Sequence, residues 1–523
     1  MARGTPVAPT PRRRAAALRA LAAPVCALWL LTAAAADLGF AVDAFTVEGD
    51  NPLSAADTAA VLDGFLGPER TLDDLDAAAA ALTRALHAAG HVLVLAVVPP
   101  QTVAGTVRLE LVRFTIGDLR IEEGHYFDAA NVRRALPTLV PGASPRLAEI
   151  ARDQLFANEH PSRQLTTVLL EGTAPDTVDI GVRVNERRPW GVFATVDDSG
   201  TDDSGQLRTG FGVQHANLFG RDHALTATYT GAPGHWGQIE QYGLYYRAPI
   251  YALHGAVSVY YTYSDSDFGT VARFFEVRGQ GEFLGLRWSQ QLAPIGAYRH
   301  TAEVGIEDRS FQNDLSFAGL PLGQDLRARP VLARYAGSYA GAGFVADHAV
   351  ELAVNTGTGG HDTARAYRAN RAGAHPAWQA LRFALGWTRP WADWTLAARL
   401  RGQFSEDALT AGEQIGLGGA AGLRGLNERN ATGDSGLVAV GEALTPPLAG
   451  SLRALAFVDS GVLWQNDAGG VEGGDAHATS LGLGLRWQWR DHAALAADWA
   501  YVVSGDEGQQ GANRGHVALL LRY

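Results

Sequence analysis

Past residue 189 the chain repeatedly alternates apolar and polar or small positions. In ATSLGLGLRWQWR, Leu481, Leu483, Leu485, Trp487 and Trp489 fall on one side of a period of two, and Gly482, Gly484, Arg486, Gln488 and Arg490 on the other. HGAVSVYYTYS sets Val257, Val259, Tyr261 and Tyr263 against Ser258, Tyr260 and Thr262, and DWTLAARLRGQF sets Leu396, Ala398, Leu400 and Phe404 against Arg399, Arg401 and Gln403. LRFALGWT, LTATYTG and the final HVALLLRY behave alike. A helix of period 3.6 would scatter these arginines around its axis, so the pattern predicts strands. A soluble sandwich alternates too. Trp and Tyr at strand ends, with Arg and Gln opposite bulky apolar faces, point instead to a membrane barrel with a watery lumen. Some 330 residues, at roughly 20 per strand with its share of connections, predict about 16 antiparallel strands over 189–523. Acidic, Gly/Ser-rich stretches such as DDSGTDDSG and SDSDFG read as exposed loops.

Upstream the periodicity is mixed. AFTVEGD alternates as a strand, and Ser54 with Asp57 caps SAADTAAVLDGFLG. Thr71 with Asp74 caps LDDLDAAAAALTRALHAAG, where Gly90 occupies the C-terminal cap position. HVLVLAVV and VRLELVRF follow as strands. The order then recurs: TIGDLRIEEG, DAANVRRALP capped by Asp128, SPRLAEIARDQLFAN, RQLTTVLLEG and TVDIGVRVNER. This is a βααββ unit repeated at an offset of roughly 70–75 residues, giving α+β modules at 37–113 and 114–188. A short mixed sheet leaves a free edge strand on which an extended peptide can dock.

Composition narrows the chemistry. Residues 1–36 carry Arg3, Arg12, Arg13, Arg14 and Arg19 and no acid, followed by an apolar run from Leu21 to Leu31 and small residues to Ala36. That is a secretory signal peptide, with cleavage expected near Ala36. Cys26, the single cysteine, lies in its apolar run. Val25 before it is not the small residue of a lipidation site. All 43 Lys+Arg residues are Arg, which excludes a GK[ST] phosphate loop and any Schiff-base lysine. The mature chain would hold no thiolate nucleophile, cysteine metal site or disulfide. The formal charge of −12, more negative after cleavage, argues against nucleic acid. After residue 36 no apolar stretch is long enough for a transmembrane helix, so membrane residence requires a barrel.

An export signal, two βααββ modules and a barrel of about 16 strands resemble the two-partner secretion outer-membrane transporters, the hemolysin secretion/activation family, whose superfamily joins POTRA modules to a barrel. The resemblance covers essentially the whole mature chain. Within it, GLGGAAGLRGLNERNATGDSG is similar to the family's long loop, near 413–436, that folds back into the lumen with a V-R-G-F/Y tip. Here the tip is Leu423, Arg424, Gly425 and Leu426, with Leu where an aromatic is usual. AFVDSGVLW fits the family's F-x-D-x-G strand through Phe457, Asp459 and Gly461. The segment from Trp190 through DDSGTDDSGQLRTGFGVQHANLFG resembles the family's first barrel strands. The resemblance implies that Arg424 pairs with Asp459, and a planar guanidinium does suit a lumenal carboxylate. Glu442, between the two motifs, is a candidate second lumenal acid. Members often carry an N-terminal plug helix. Only a few residues separate the expected cleavage point from the first strand, so the plug is expected to be missing.

Two other motifs suggest different chemistry. GDSG at Gly433–Gly436 imitates a protease serine, but no His base and Asp orienter can be assembled around it. GLGGAAG lacks a preceding buried strand and the spacing of a dinucleotide loop. Fifteen His include no H-E-x-x-H and no tight cluster, so no metal or other cofactor is expected. The expected function is non-enzymatic. The chain would capture a hemolysin- or adhesin-type partner exoprotein, unfolded in the periplasm, and pass it through the barrel without ATP. The alternative is an outer-membrane barrel assembly factor. Expected partners are that exoprotein, outer-membrane lipid and the barrel-assembly machinery, with neither nucleic acid nor nucleotide.

Overall fold

The computed structural model describes residues 39–523 apart from short segments at 123, 201–204, 235, 237–239, 265–267, 272–274, 279–280, 312–315, 318–319, 322–324, 467–473 and 507. The expected signal peptide lies outside the described residues, as does any plug within 1–38. Among the described residues no helix is long and apolar enough to cross a membrane.

The first module comprises β1 (Phe40–Glu48), α1 (Ala55–Leu62), β2 (Gly67–Arg70), α2 (Leu72–Ala88), β3 (Val94–Val97) and β4 (Gly105–Arg113). Ser54 Oγ accepts the Asp57 N–H (3.1 Å) to cap α1. A reciprocal pair caps α2: the Thr71 N–H donates to Asp74 (2.9 Å) and the Asp74 N–H to Thr71 Oγ1 (3.3 Å). The Thr71 backbone N–H holds the Asp74 carboxyl below its usual range. Such caps each contribute about 1 kcal/mol. The sheet runs β2-β1-β4-β3, with β1 and β4 parallel. β2 is not among the expected strands. Its sequence, GPER, reads as a turn and becomes a strand only by pairing with β1. HVLVLAVV yields only the four-residue β3.

The second module repeats the order with β5 (Thr115–Ile121), α3 (Ala129–Ala135), α4 (Leu147–Ala157), β6 (Arg163–Glu171) and β7 (Thr177–Glu186). Asp128 caps α3 by accepting the Asn131 N–H at 2.7 Å. The sheet runs β5-β7-β6, with β5 parallel to β7. β6 lies on the edge and exposes Val168 (52%) and Leu169 (56%).

From Trp190 the chain forms a closed antiparallel barrel of 16 strands. Seventeen segments contribute, because Leu326–Ala328 and Pro330–Gly341 both pair with Tyr298–Phe311 as one interrupted strand. The first strand, Trp190–Asp197, meets the last, Asn513–Arg522, over a ladder running from Phe193↔Arg522 to Asp197↔Ala518. The expected alternation sorts the two faces. Leu483 (65% exposed), Leu481, Leu485, Trp487 and Trp489 face outward. On the same strand Gly484 and Arg486 adjoin Asp498 inside. Ser258, Tyr260 and Thr262 are buried, whereas Val259 and Tyr261 are exposed. Inside, aromatic rings lie flat over glycines of the neighbouring strand. A Cβ on Gly482 would overlap the Phe457 ring, and one on Gly285 the Tyr260 ring.

The second module belongs to the same compact unit as the barrel, and a buried polar joint seats it on the turns Phe219–Asp222 and Tyr251–His254. Asp222, 3% exposed, accepts from Arg163 Nη1 (2.8 Å), Tyr251 Oη (2.6 Å) and Asn131 Nδ2 (2.7 Å). His160 Nε2 bonds the Ala216 carbonyl (2.7 Å), and its Nδ1 accepts the Ser162 N–H (3.1 Å). Both ring nitrogens are thus satisfied by the neutral imidazole, and burial holds His160 below its ordinary value of 6.5. Each unpaired polar group in such a joint would cost about 1–3 kcal/mol.

Candidate functional site in the barrel lumen

Residues 405–434 connect the strands Trp394–Phe404 and Ser435–Leu444. The connection turns inward because it carries its own apolar face. Ile415, Leu417, Leu423 and Leu426 pack against lumen-facing Val438, Leu463, Ala478 and Val502. A short ladder, Ile415–Leu417 with Ala431–Gly433, stiffens its base. At the tip Gly425 has φ +99°, and a Cβ there would crowd Val502 and Ala500 at 3.2 and 3.4 Å.

The tip places Arg424, 1% exposed, against three carboxylates from three strands. Nε and Nη2 donate to the two oxygens of Asp459, both at 2.7 Å, and the Arg424 backbone N–H adds a 3.0 Å bond to Asp459 Oδ2. Nη1 donates to Glu442 Oε1 (2.9 Å) and Asp498 Oδ2 (3.3 Å). The guanidinium also lies 3.4 Å from the Phe457 ring centroid, a contact of the cation–π kind. Asp459 is 0% exposed, so its charge is held by this arginine rather than by water. Gly461 leaves room for Leu417, whose side chain a Cβ there would strike. The structure therefore brings Leu423, Arg424, Gly425 and Leu426 onto Phe457, Asp459 and Gly461, with Glu442 beside them.

Several contributors carry no motif. Asp498 joins the Arg424 cluster and is itself held by Arg486 (2.5 and 2.8 Å). His516 Nε2 accepts the Gly425 N–H at 3.4 Å. Two further carboxylates pin the ends of the loop. Glu413 receives Arg309 Nη1 (2.7 Å) and Arg382 Nη2 (2.9 Å). Asp434, the acid of GDSG, is fully buried. It accepts from Arg371 Nη2 (2.7 Å), the Leu409 N–H (2.9 Å) and the Asn466 N–H (2.7 Å). Arg371 directly follows the helix Ala364–Asn370 of the preceding outer loop. That loop packs Tyr367 and Trp378 into an apolar cluster with Leu409. The GDSG letters are thus a structural anchor. Among the described residues no group of His, Cys, Asp and Glu could hold a metal.

Residues 176–487 match the family of the haemolysin secretion/activation protein ShlB/FhaC/HecB, and residues 40–113 match the ShlB-type POTRA domain. The chain belongs to the ShlB/FhaC/HecB family. Members of this family are transporters rather than enzymes. The fold is similar to that of CdiB from Escherichia coli, with a TM-score of 0.74 at 16% identity over 94% of this chain and 92% of that one. It is also similar to BamA from Haemophilus ducreyi lacking POTRA domains 1–3, with a TM-score of 0.50 at 14% identity over 92% and 100%. The heme/hemopexin transporter protein HuxB of Haemophilus influenzae is 24% identical over 162 residues, 31% of this chain. That match spans only 29% of HuxB's own length. This ShlB/FhaC/HecB member is an outer-membrane protein, its barrel in the membrane and its POTRA domains in the periplasm.

Proposed function

We propose that this protein is a two-partner secretion translocator, dedicated to one large exoprotein of the hemolysin or adhesin type. The observation that carries this reading is the loop lodged in the lumen by a few buried ion pairs: a plug held by groups that can exchange partners. The exposed edge of β6, with Val168 and Leu169 beside it, offers an unfolded polypeptide a backbone ladder to extend. The captured segment then enters the lumen as the Arg424 loop yields. The chain lacks a phosphate-loop lysine, and folding of the exoprotein outside the cell supplies the drive. Arg424 and Asp459 act as the lock that holds the loop in register.

The test compares proteins released by cells with and without this chain, alongside their outer-membrane profiles. Loss of one large secreted protein, with other barrels unchanged, supports the translocator. A broad fall in outer-membrane barrels makes the chain an assembly factor. The lock is tested separately. Arg424→Glu sets a fourth carboxylate among Asp459, Glu442 and Asp498, and secretion is expected to drop at least tenfold. Adding Asp459→Arg returns one cation to the cluster and is expected to restore secretion partly, because the carboxylate introduced at position 424 would still face Glu442 and Asp498. A double variant no better than either single one removes the lock from the mechanism.

A further inference from the structure

Charge is unevenly distributed around the lumen. The carboxylates around Arg424 come from the strands Ser435–Leu444, Arg453–Trp464 and Ala493–Gly505. On the strands from Gly281 to Phe404 lies a separate cavity of about 330 Å³ lined by Arg287, Arg309, Arg334, Arg382 and Arg401, against only two acids, Glu307 and Glu351. A further carboxylate there belongs to the loop. Glu413, 0% exposed, is gripped by Arg309 and Arg382 as those side chains would grip a ligand carboxylate. Arg334 has no ion-pair partner among the described residues, and its buried Nε meets no acceptor. Arg334 also lines a second cavity, of about 780 Å³, bounded by Gln154, Asn158 and Glu159 of the second module. The two cavities share Arg334, Ala349 and Ala384. They thus connect the periplasmic module to the basic wall.

We infer that this basic wall is a binding track for acidic segments of the transported polypeptide, with Glu413 standing in for a passenger carboxylate while the loop is lodged. When the loop yields, Glu413 leaves, and five guanidiniums remain against three wall carboxylates, Glu307, Glu351 and Glu303, the last paired with Arg287 at 3.7 Å. A narrow, low-dielectric cleft of one sign concentrates the opposite charge, and rings of arginine select anions by the same physics. Arginine suits the task because it stays protonated and offers two parallel donors to each carboxylate. Arg334 lines both cavities, so an incoming segment meets it on passing from one to the other. The inference rests on the translocator reading for the identity of the ligand, and its test does not.

The test measures binding of fluorescent deca-glutamate and deca-lysine peptides to the full chain in detergent by anisotropy, at low and high salt. Deca-glutamate is expected to bind at least tenfold more tightly than deca-lysine and to weaken with salt. Glu413→Gln, which vacates the Arg309–Arg382 grip, is expected to tighten it. Arg334→Gln breaks no ion pair and is expected to weaken it at least threefold, with heat-modifiable gel migration reporting an intact barrel. Equal binding of the two peptides, no binding, or deca-glutamate binding unchanged in both variants overturns the track. The secretion comparison addresses the translocator reading on its own, so either result can fail without the other.

Discussion

Arg424 and its carboxylates are unequal partners. Removing the cation leaves buried Asp459 with no cation among the described residues, while Glu442 keeps Arg399 and Asp498 keeps Arg486; removing Asp498 instead leaves the cation two other acids. Breaking a buried ion pair from one side costs about 3–5 kcal/mol. Arg424→Ala is therefore expected to release the loop, with limited proteolysis cutting within 413–433, while Asp498→Asn leaves it protected. Equal susceptibility of the two variants would contradict this arrangement. Arg424, Asp459 and Phe457 were legible because each sits in a short motif, and Glu442 because it lies on the strand between them. Asp498 was not. It sits in AALAADWAYVV, where the alternation puts Asp498, Ala500 and Val502 on the lumenal side. An acid in lumenal register was the available signal, and nothing local told which cation it faced.

At the scale of elements, the loop is held at its two ends as well as at its tip. Asp434 ties the loop to Arg371, 63 residues earlier, and so couples the outer helix Ala364–Asn370 to the base of the plug. Asp434→Asn would leave Arg371 without its carboxylate, at a cost of about 1–3 kcal/mol or more for a charged group. Amide hydrogen exchange over 364–378 and 409–417 is expected to speed up together in that variant. Exchange confined to one of the two segments would mean they are not coupled. Strand alternation and helix caps made the two modules and the barrel readable because both are local periodicities. The anchor was read only as a false protease motif, since its meaning depends on a guanidinium from another loop. β2 was missed for the same reason: GPER has no strand signal without β1 beside it.

At the scale of the molecule, the second module and the barrel turn on a joint that favours neutral His160. A histidine whose folded value is depressed contributes stability above its unfolded value and loses it as pH falls through the folded one. The joint is therefore expected to be tightest above 6.5 and to loosen progressively below it. Hydrogen exchange at 129–135 and 216–222 reads this, and a His160→Gln variant is expected to lose the pH dependence. Unchanged protection, relative to the intrinsic amide exchange rate at each pH, from about pH 7.5 to about pH 5.5 would remove His160 from the joint's energetics. The lumenal rings laid over glycines of the adjacent strand, Phe457 on Gly482 and Tyr260 on Gly285, carry a consequence for descent. Neither member of such a pair can change alone without a clash or a hole. Across relatives the two positions should be inherited as a unit, the glycine persisting only where the ring does, and that joint inheritance would mark neighbouring strands in sequences whose barrels no one has seen.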